Sequence, residues 1–150
     1  LYVPDMGINL GLSCSAAGHA WLMTLPEDEA IERISRQGMG NPRQFGPNAP
    51  TTAKALLTML RAAAKRGYSL IQDVYAPGMS AMAAPVRRQG EQTTGVVAIA
   101  GPSARLNTRR MASFGPHLVA AADELAMTGQ ASPLLKAANV GTWGNRAESP

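Results

Sequence analysis

Three short apolar segments in the middle of the chain constrain the fold most strongly. They run over 68–75, 79–86 and 95–100, and each has the length and apolar content of a β-strand. The dipeptide Pro77-Gly78 joins the first two, and a polar loop at 87–92 joins the last two. A crossover between parallel strands needs a dozen or more residues. The segments therefore predict a three-stranded antiparallel sheet.

Helical patterns precede and follow these strands. A half-buried strand is predicted at 8–12, and Ser13 or Ser15 is placed to cap the helix that follows it. Thr51 or Thr52 is placed in the same way before the third helix. We expect helices over 16–25, 26–37, 53–66 and about 108–127.

The second helix has the clearest signals at its ends. Pro26 suits the first helical position, three acidic residues follow it, and Gly38 is suited to end the helix. Its predicted apolar stripe consists of Ala30, Ile31 and Ile34. A block of strands with helices on either side of it in sequence predicts an α+β fold, an antiparallel sheet packed by helices, and 150 residues suit one domain.

Charge and cysteine content narrow the function classes. The chain has 14 Lys and Arg against 10 Asp and Glu, a net charge of +4. The basic pairs are scattered and carry no interleaved aromatics, so this chain alone is not expected to bind nucleic acid.

No apolar run approaches the roughly 20 residues of a membrane span. With Cys14 alone, no internal disulfide forms, and a reducing, cytoplasmic location is expected.

Catalytic signals are sparse. His19 and His117 have no carboxylate or second ligand three or four residues away, so no metal site is predicted, and no phosphate loop or other cofactor motif is present. Cys14 is the one candidate nucleophile, because a helix N-terminus stabilises a thiolate. A lone cysteine is more often a small buried hydrophobe. No catalytic residue, metal or cofactor is therefore predicted, and an enzyme based on Cys14 stays an alternative.

Two features point to ligand binding. Small residues at 13–18 open a helix, where free backbone N–H groups favour an anion such as a carboxylate. The strands at 79–84 and 96–100 are rich in alanine, and small side chains leave space for a ligand. Each feature has a structural alternative: the small residues let the helix pack closely, and bulky helix residues fill the space. A dimerisation module without a ligand therefore also stays open.

Several short motifs occur together in a recognisable order. They are Ser-Cys-Ser-Ala-Ala-Gly-His-Ala-Trp-Leu at 13–22, Arg-Gly-Tyr at 66–68, Gly78, Ala-Ala-Pro-Val at 83–86, Ala-Gly-Pro at 100–102 and Arg-Leu at 105–106. In order and spacing this set resembles the effector-binding domain of IclR-type bacterial transcription regulators. The resemblance extends from about Gly7 to Met127.

The resemblance implies a GAF-like domain over 1–127, with a partly ordered tail over 128–150. Such a domain binds a small organic acid and controls a winged helix-turn-helix DNA-binding domain, which lies N-terminal to it and is absent here. The family's first helix and strand also have no counterpart, which predicts an N-terminally truncated domain. A homo-oligomer, dimer or tetramer, is expected, with DNA contacted only through the absent domain.

The resemblance also implies where the effector binds. The amides at the helix start hold a carboxylate, and side chains of the central strands contact its body. The implied contact residues are Ala16, Ala17, Gly18, Ile71, Met79, Ala81, Ala98 and Ala100. Relatives that bind small keto acids have polar side chains at several strand positions, where this chain has Ile71, Ala81, Ala98 and Ala100. We therefore expect an aromatic or branched carboxylate.

Overall fold

The computed structural model describes residues 11–39 and 42–128. Four α-helices, one 3₁₀ turn at Pro42–Gln44 and three strands make up this part of the chain. The helices are α1 (Ala16–Leu22), α2 (Glu27–Gln37), α3 (Ala53–Arg66) and α4 (Thr108–Thr128). The strands are β1 (Ser69–Gln72), β2 (Met79–Val86) and β3 (Gly95–Pro102). Among the residues described, no helix is long and apolar enough to cross a bilayer.

The strands form one antiparallel sheet in the order β1-β2-β3, as the short connections predict. The register places Ile71, Ala81 and Ala100 side by side across the three strands. Ser69, Ala83 and Ala98 form a second such row, two residues away along each strand. Side chains of alternate residues point to opposite faces. These two rows therefore share a face, and Met82 points to the other.

Helices cover both faces of the sheet. On one face α4 packs on β2, and the buried core there consists of Tyr68, Met82, Ala84, Val86, Leu106, Met111, Leu118 and Ala122. On the other face α1 packs on β2, and the core is made of smaller residues: Cys14, Ala16, Ala20, Ile71, Val74 and Ala83. A third cluster of Leu22, Ala30, Ile34, Leu56 and Leu60 joins α1 to α2 and α3.

Side-chain hydrogen bonds show which of the two predicted N-cap residues caps α1 and which caps α3. Ser15 rather than Ser13 is the N-cap of α1, because its Oγ accepts a hydrogen bond from the Gly18 amide at 3.0 Å. Thr52 caps α3 through the Ala55 amide at 3.2 Å. At its C-terminal end Gly67 adopts the left-handed conformation, with φ 84°.

Several predicted boundaries were wrong in part: Pro26 is the N-cap of α2 rather than its first residue, and β3 continues to Pro102 rather than ending at residue 100. Gly11 and Leu12 do not continue the predicted strand at 8–12, because the Gly11 carbonyl accepts from the Ser15 hydroxyl and the chain turns there; residues 8–10 lie outside the described part. The strand predicted at 68–75 covers only Ser69–Gln72, since Asp73 has a positive φ of 55°. The first helix ends at Leu22 rather than at residue 25.

The predicted stripe of α2 and the predicted tail need smaller corrections. Ala30 and Ile34 are buried, whereas Ile31 is 40% exposed, because the contact with α1 and α3 reaches only one narrow side of α2. Thr128, predicted as the first tail residue, ends α4. The rest of the predicted tail lies outside the described residues.

Gly18 provides a test of how closely α1 packs. A Cβ at this position would overlap the backbone of Leu12, whereas a Cβ at Gly95 would have no neighbour within 4 Å. Gly18→Ala should lower the free energy of unfolding by about 2 kcal/mol, because backbone must move to admit the methyl group. The melting temperature should fall by about 4–8 °C. Gly95→Ala should have little effect, and equal stability of the two variants in thermal melts would contradict this packing.

Candidate functional site

A cavity of about 100 Å³ lies between the start of α1 and the sheet. It is open to solvent on one side, where Ala98 and Ala100 of β3 are exposed. Its lining residues are Ser15, Ala16, Ala17, Ile71, Tyr75, Met79, Ser80, Ala81, Ala98 and Ala100. The structure thus brings seven of the eight residues implied by the resemblance around one cavity.

Gly18 is the exception among those eight. It is buried, but its backbone faces Leu12 and does not line the cavity. The close approach of the chain that leads into α1 explains the glycine without any ligand. Gly18 therefore contributes to packing, which was the structural alternative for the small residues at 13–18.

The cavity exists because small side chains face each other across it. Ala81 and Ala100 sit side by side in the same row of the sheet, and Ala98 lies in the next row on that face. The helix placed over them starts with Ala16 and Ala17, so no bulky side chain of α1 fills the gap. Ser69 fixes this helix to the sheet, because its buried hydroxyl donates to the Ala16 carbonyl at 2.7 Å.

Few polar groups of the cavity wall are free for a ligand. The Ser15 hydroxyl donates to the Gly11 carbonyl at 2.9 Å and accepts from Gly18, and Ser80 is hydrogen-bonded to Ser103 at 2.9 Å. The amides of Ala16 and Ala17 belong to the first turn, where no intrahelical acceptor exists. Within the described part of the chain, neither amide has a hydrogen-bond partner.

Ser15, Tyr75 and Ser80 line the cavity but were not among the predicted contacts. Tyr75 was assigned to the end of a strand over 68–75, where alternation places it on the same face as Ile71, but it was not named as a contact. Its actual position follows from the turn at Asp73, whose positive φ ends β1 early. The sequence carries a weak signal for this turn, since aspartate tolerates the left-handed region better than most residues.

Two larger grooves lie at the opposite end of β2, on either side of Arg87. Their volumes are about 370 and 410 Å³, and loop residues such as Gln89 and Glu91 border them. None of the predicted contact residues lines either groove. The smaller cavity is therefore the better candidate site, because its walls are mainly apolar and seven of the predicted contact residues line it.

Cys14 is buried, with 1% of its surface exposed. Burial raises the pKa of its thiol, and a hydrogen bond with Ser13 opposes this only in part. Its sulfur lies 3.3 Å from the Ser13 hydroxyl and 3.8 Å from the Met39 carbonyl oxygen. A thiol with a raised pKa in such surroundings is a poor nucleophile.

Within the described residues, neither histidine is hydrogen-bonded to Cys14. Burial lowers the pKa of His19, and its Nε2 lies 2.7 Å from the Ser13 carbonyl oxygen, so this nitrogen carries a proton and donates it to the backbone. His117 is exposed on α4. Across residues 11–39 and 42–128 no group of His, Cys, Asp and Glu side chains is arranged to hold a metal ion.

Comparison with known proteins identifies the family. The family described as "Bacterial transcriptional regulator IclR C-terminal" matches residues 2–127. This chain belongs to that family. The transcriptional repressor IclR of Escherichia coli is 28% identical over 122 residues, which cover 81% of this chain and 43% of the repressor. The chain thus spans less than half of this relative's length.

Solved structures confirm the α+β fold of this IclR C-terminal domain. The IclR protein of Thermotoga maritima superimposes with a TM-score of 0.75 at 21% identity, over 85% of this chain and 50% of that one. The inducer-binding domain of PobR from Acinetobacter, a double mutant in complex with 3-hydroxybenzoic acid, gives a TM-score of 0.68 at 22% identity. That match covers 83% of this chain and 77% of the PobR domain.

The burial of Cys14 predicts low chemical reactivity. Iodoacetamide at pH 8 should modify the native thiol at least about a hundred times more slowly than the same thiol in urea, because reaction requires local opening and the pKa is raised. Mass spectrometry of timed samples measures both rates. Native modification as fast as that in urea would reveal an accessible, activated thiolate and would favour the enzyme alternative.

Proposed function

We propose that this IclR C-terminal domain senses a small organic acid with an aromatic or branched body. The observation that carries the proposal is the cavity beside α1, whose walls combine small apolar side chains with two unpaired amides. The amides of Ala16 and Ala17 would receive the carboxylate. The apolar body would lie against Ile71, Met79 and the alanines of β2 and β3.

The chemistry of the walls argues against the smallest acids. A two-carbon or three-carbon keto acid has polar groups on nearly every atom, and each buried polar group without a partner is costly. Ile71, Ala81, Ala98 and Ala100 offer no side-chain hydrogen bond. An apolar body instead gains from leaving water, by about 25 cal/mol for each Å² buried.

The volume of the cavity favours a small acid. An engineered cavity of 150 Å³ in another protein admits benzene, and the cavity here holds about 100 Å³ and is open on one side. Since this volume is smaller than the one that admits benzene, a single ring or a branched chain of similar bulk fits when part of it extends through the open side. The PobR domain, which has the same fold, is known in complex with 3-hydroxybenzoic acid, and this supports a single-ring acid here.

The bound acid would act on DNA binding through another part of the protein. The E. coli relative is a transcriptional repressor more than twice as long as the matched segment. We expect a winged helix-turn-helix domain outside this chain to contact the operator in the cytoplasm, and copies of the effector domain to associate as a dimer or tetramer. The enzyme alternative is less well supported, because Cys14 is buried and His19 donates to the backbone.

Ala100→Phe tests the site directly. The phenyl ring should fill the cavity and abolish stabilisation by ligand while the domain stays folded. In the unaltered domain, an acid at about 100 times its Kd adds about 2.7 kcal/mol of stability, or a melting shift of roughly 5–10 °C. Thermal melts should be recorded with benzoate, 3-hydroxybenzoate, 3-methylbutanoate, pyruvate and glyoxylate.

Ile99→Phe is the matched control, since Ile99 is the next residue on β3 and its row points to the opposite face. This variant should keep the ligand-induced shift of the unaltered domain. The proposal fails if pyruvate and glyoxylate stabilise the domain more than every aromatic or branched acid. It also fails if Ala100→Phe leaves the shifts unchanged.

A further inference from the structure

Tyr75 is the largest side chain in the wall of the cavity. The other lining residues are alanines, serines, Ile71 and Met79. Tyr75 is half-buried and packs against the same core cluster as Ala16 and Ile71. Tyr75 therefore forms part of the cavity wall while part of its side chain remains in contact with solvent.

The backbone that carries Tyr75 is held in a fixed shape. The amide of Asp73 donates to the Met79 carbonyl at 2.8 Å, and its carboxylate accepts from the Gly78 amide at 2.6 Å. These two bonds close the turn between β1 and β2 around Tyr75. Asp73 holds a φ of 55°, a region that non-glycine residues rarely adopt and that the surrounding bonds must enforce.

A neighbouring loop holds the turn from outside. The Gly46 amide donates to the Val74 carbonyl and the Asn48 amide to the Asp73 carbonyl, both at 2.9 Å. The two backbones lie so close that a Cβ at Gly46 would overlap Asp73. The Phe45 ring from this loop lies beside Tyr75, with 6.4 Å between ring centroids and a tilt of 54°. Phe45 does not line the cavity, so this ring contact reaches Tyr75 from outside the cavity wall.

We propose that Tyr75 is the residue that sets the upper size limit of the ligand. This inference rests on the proposed function, since it concerns the same cavity. Because the turn fixes the backbone of Tyr75 and the Phe45 ring lies beside it, a ligand that extends from the start of α1 toward Tyr75 by more than one ring meets this side chain. Of the other lining side chains, only Ile71 and Met79 are larger than serine, and neither carries a ring. Removing the ring would extend the cavity toward Phe45.

Tyr75→Ala tests this by changing size preference. The ratio of the benzoate Kd to the 2-naphthoate Kd should rise about tenfold or more over that of the unaltered domain, because the second ring gains space and apolar contact. Tyr75→Phe keeps the ring, and its ratio should stay within twofold of the unaltered domain. Isothermal titration calorimetry measures each Kd. If Tyr75→Ala does not fold, Tyr75→Val makes the same comparison.

Two further measurements distinguish a loss of stability from a failure of the size limit or of the acid proposal. Met111→Ala removes a buried side chain on the other face of the sheet and should leave the ratio unchanged, which controls for lost stability. The neutral arenes benzene and indole report the size of the cavity without a carboxylate. If only the arenes bind and their preference shifts with Tyr75→Ala, the size limit stands and the acid proposal fails. An unchanged ratio in Tyr75→Ala, or no binding of any probe to either protein, would overturn the inference.

Discussion

The close seating of α1 on the sheet is the contact on which the candidate site depends. The buried hydroxyl of Ser69 joins the two elements through the Ala16 carbonyl at 2.7 Å. Gly18 lets the chain before the helix fold back over it, and the Nε2 of His19 donates to the Ser13 carbonyl to hold that segment. These bonds place the first turn of α1 beside the alanines of β2 and β3, so the helix start becomes a wall of the cavity.

The two faces of the sheet differ in the size of their side chains: one forms the main apolar core, and the other forms a wall of the cavity. The face under α4 contains the large apolar side chains, among them Met82, Met111 and Leu118, and burial of such groups supplies most of the stability of a domain. The face under α1 contains mainly small residues, which provide less apolar burial and leave a gap. A cavity left by small side chains forgoes packing contacts. Ligand binding is the function that best explains the small side chains and the gap on this face.

The sequence contained enough to predict the sheet and most of the helices, because short polar connections allow only antiparallel neighbours and because Thr52 and Gly67 mark the ends of α3. Those signals are local. The early end of β1 before Tyr75 was missed because it depends on the positive φ of Asp73, in a turn to which Gly46 and Asn48 of a distant loop donate hydrogen bonds. The exposure of Ile31 was missed for a similar reason, since periodicity shows an apolar face but not how much of it a neighbouring helix covers.

Seven of the cavity-lining residues were implied by family resemblance, and packing explains why they meet. Gly18 was included because it adjoins the helix start, but its lack of a side chain is required by the Leu12 backbone. The distinction between a residue that lines a site and one that lets the site form depends on three-dimensional contacts. A linear motif cannot make it.

The central claim is that the cavity beside α1, and not another surface, receives the acid. A titration of the ¹⁵N-labelled domain with 3-hydroxybenzoate, followed by two-dimensional amide NMR, tests it most directly. We expect saturable shifts at Ala16, Ala17, Ala98 and Ala100, with the groove residues around Arg87 unaffected. Shifts confined to the Arg87 grooves, or no saturable shift at α1 and β3 with any single-ring or branched acid, would contradict it.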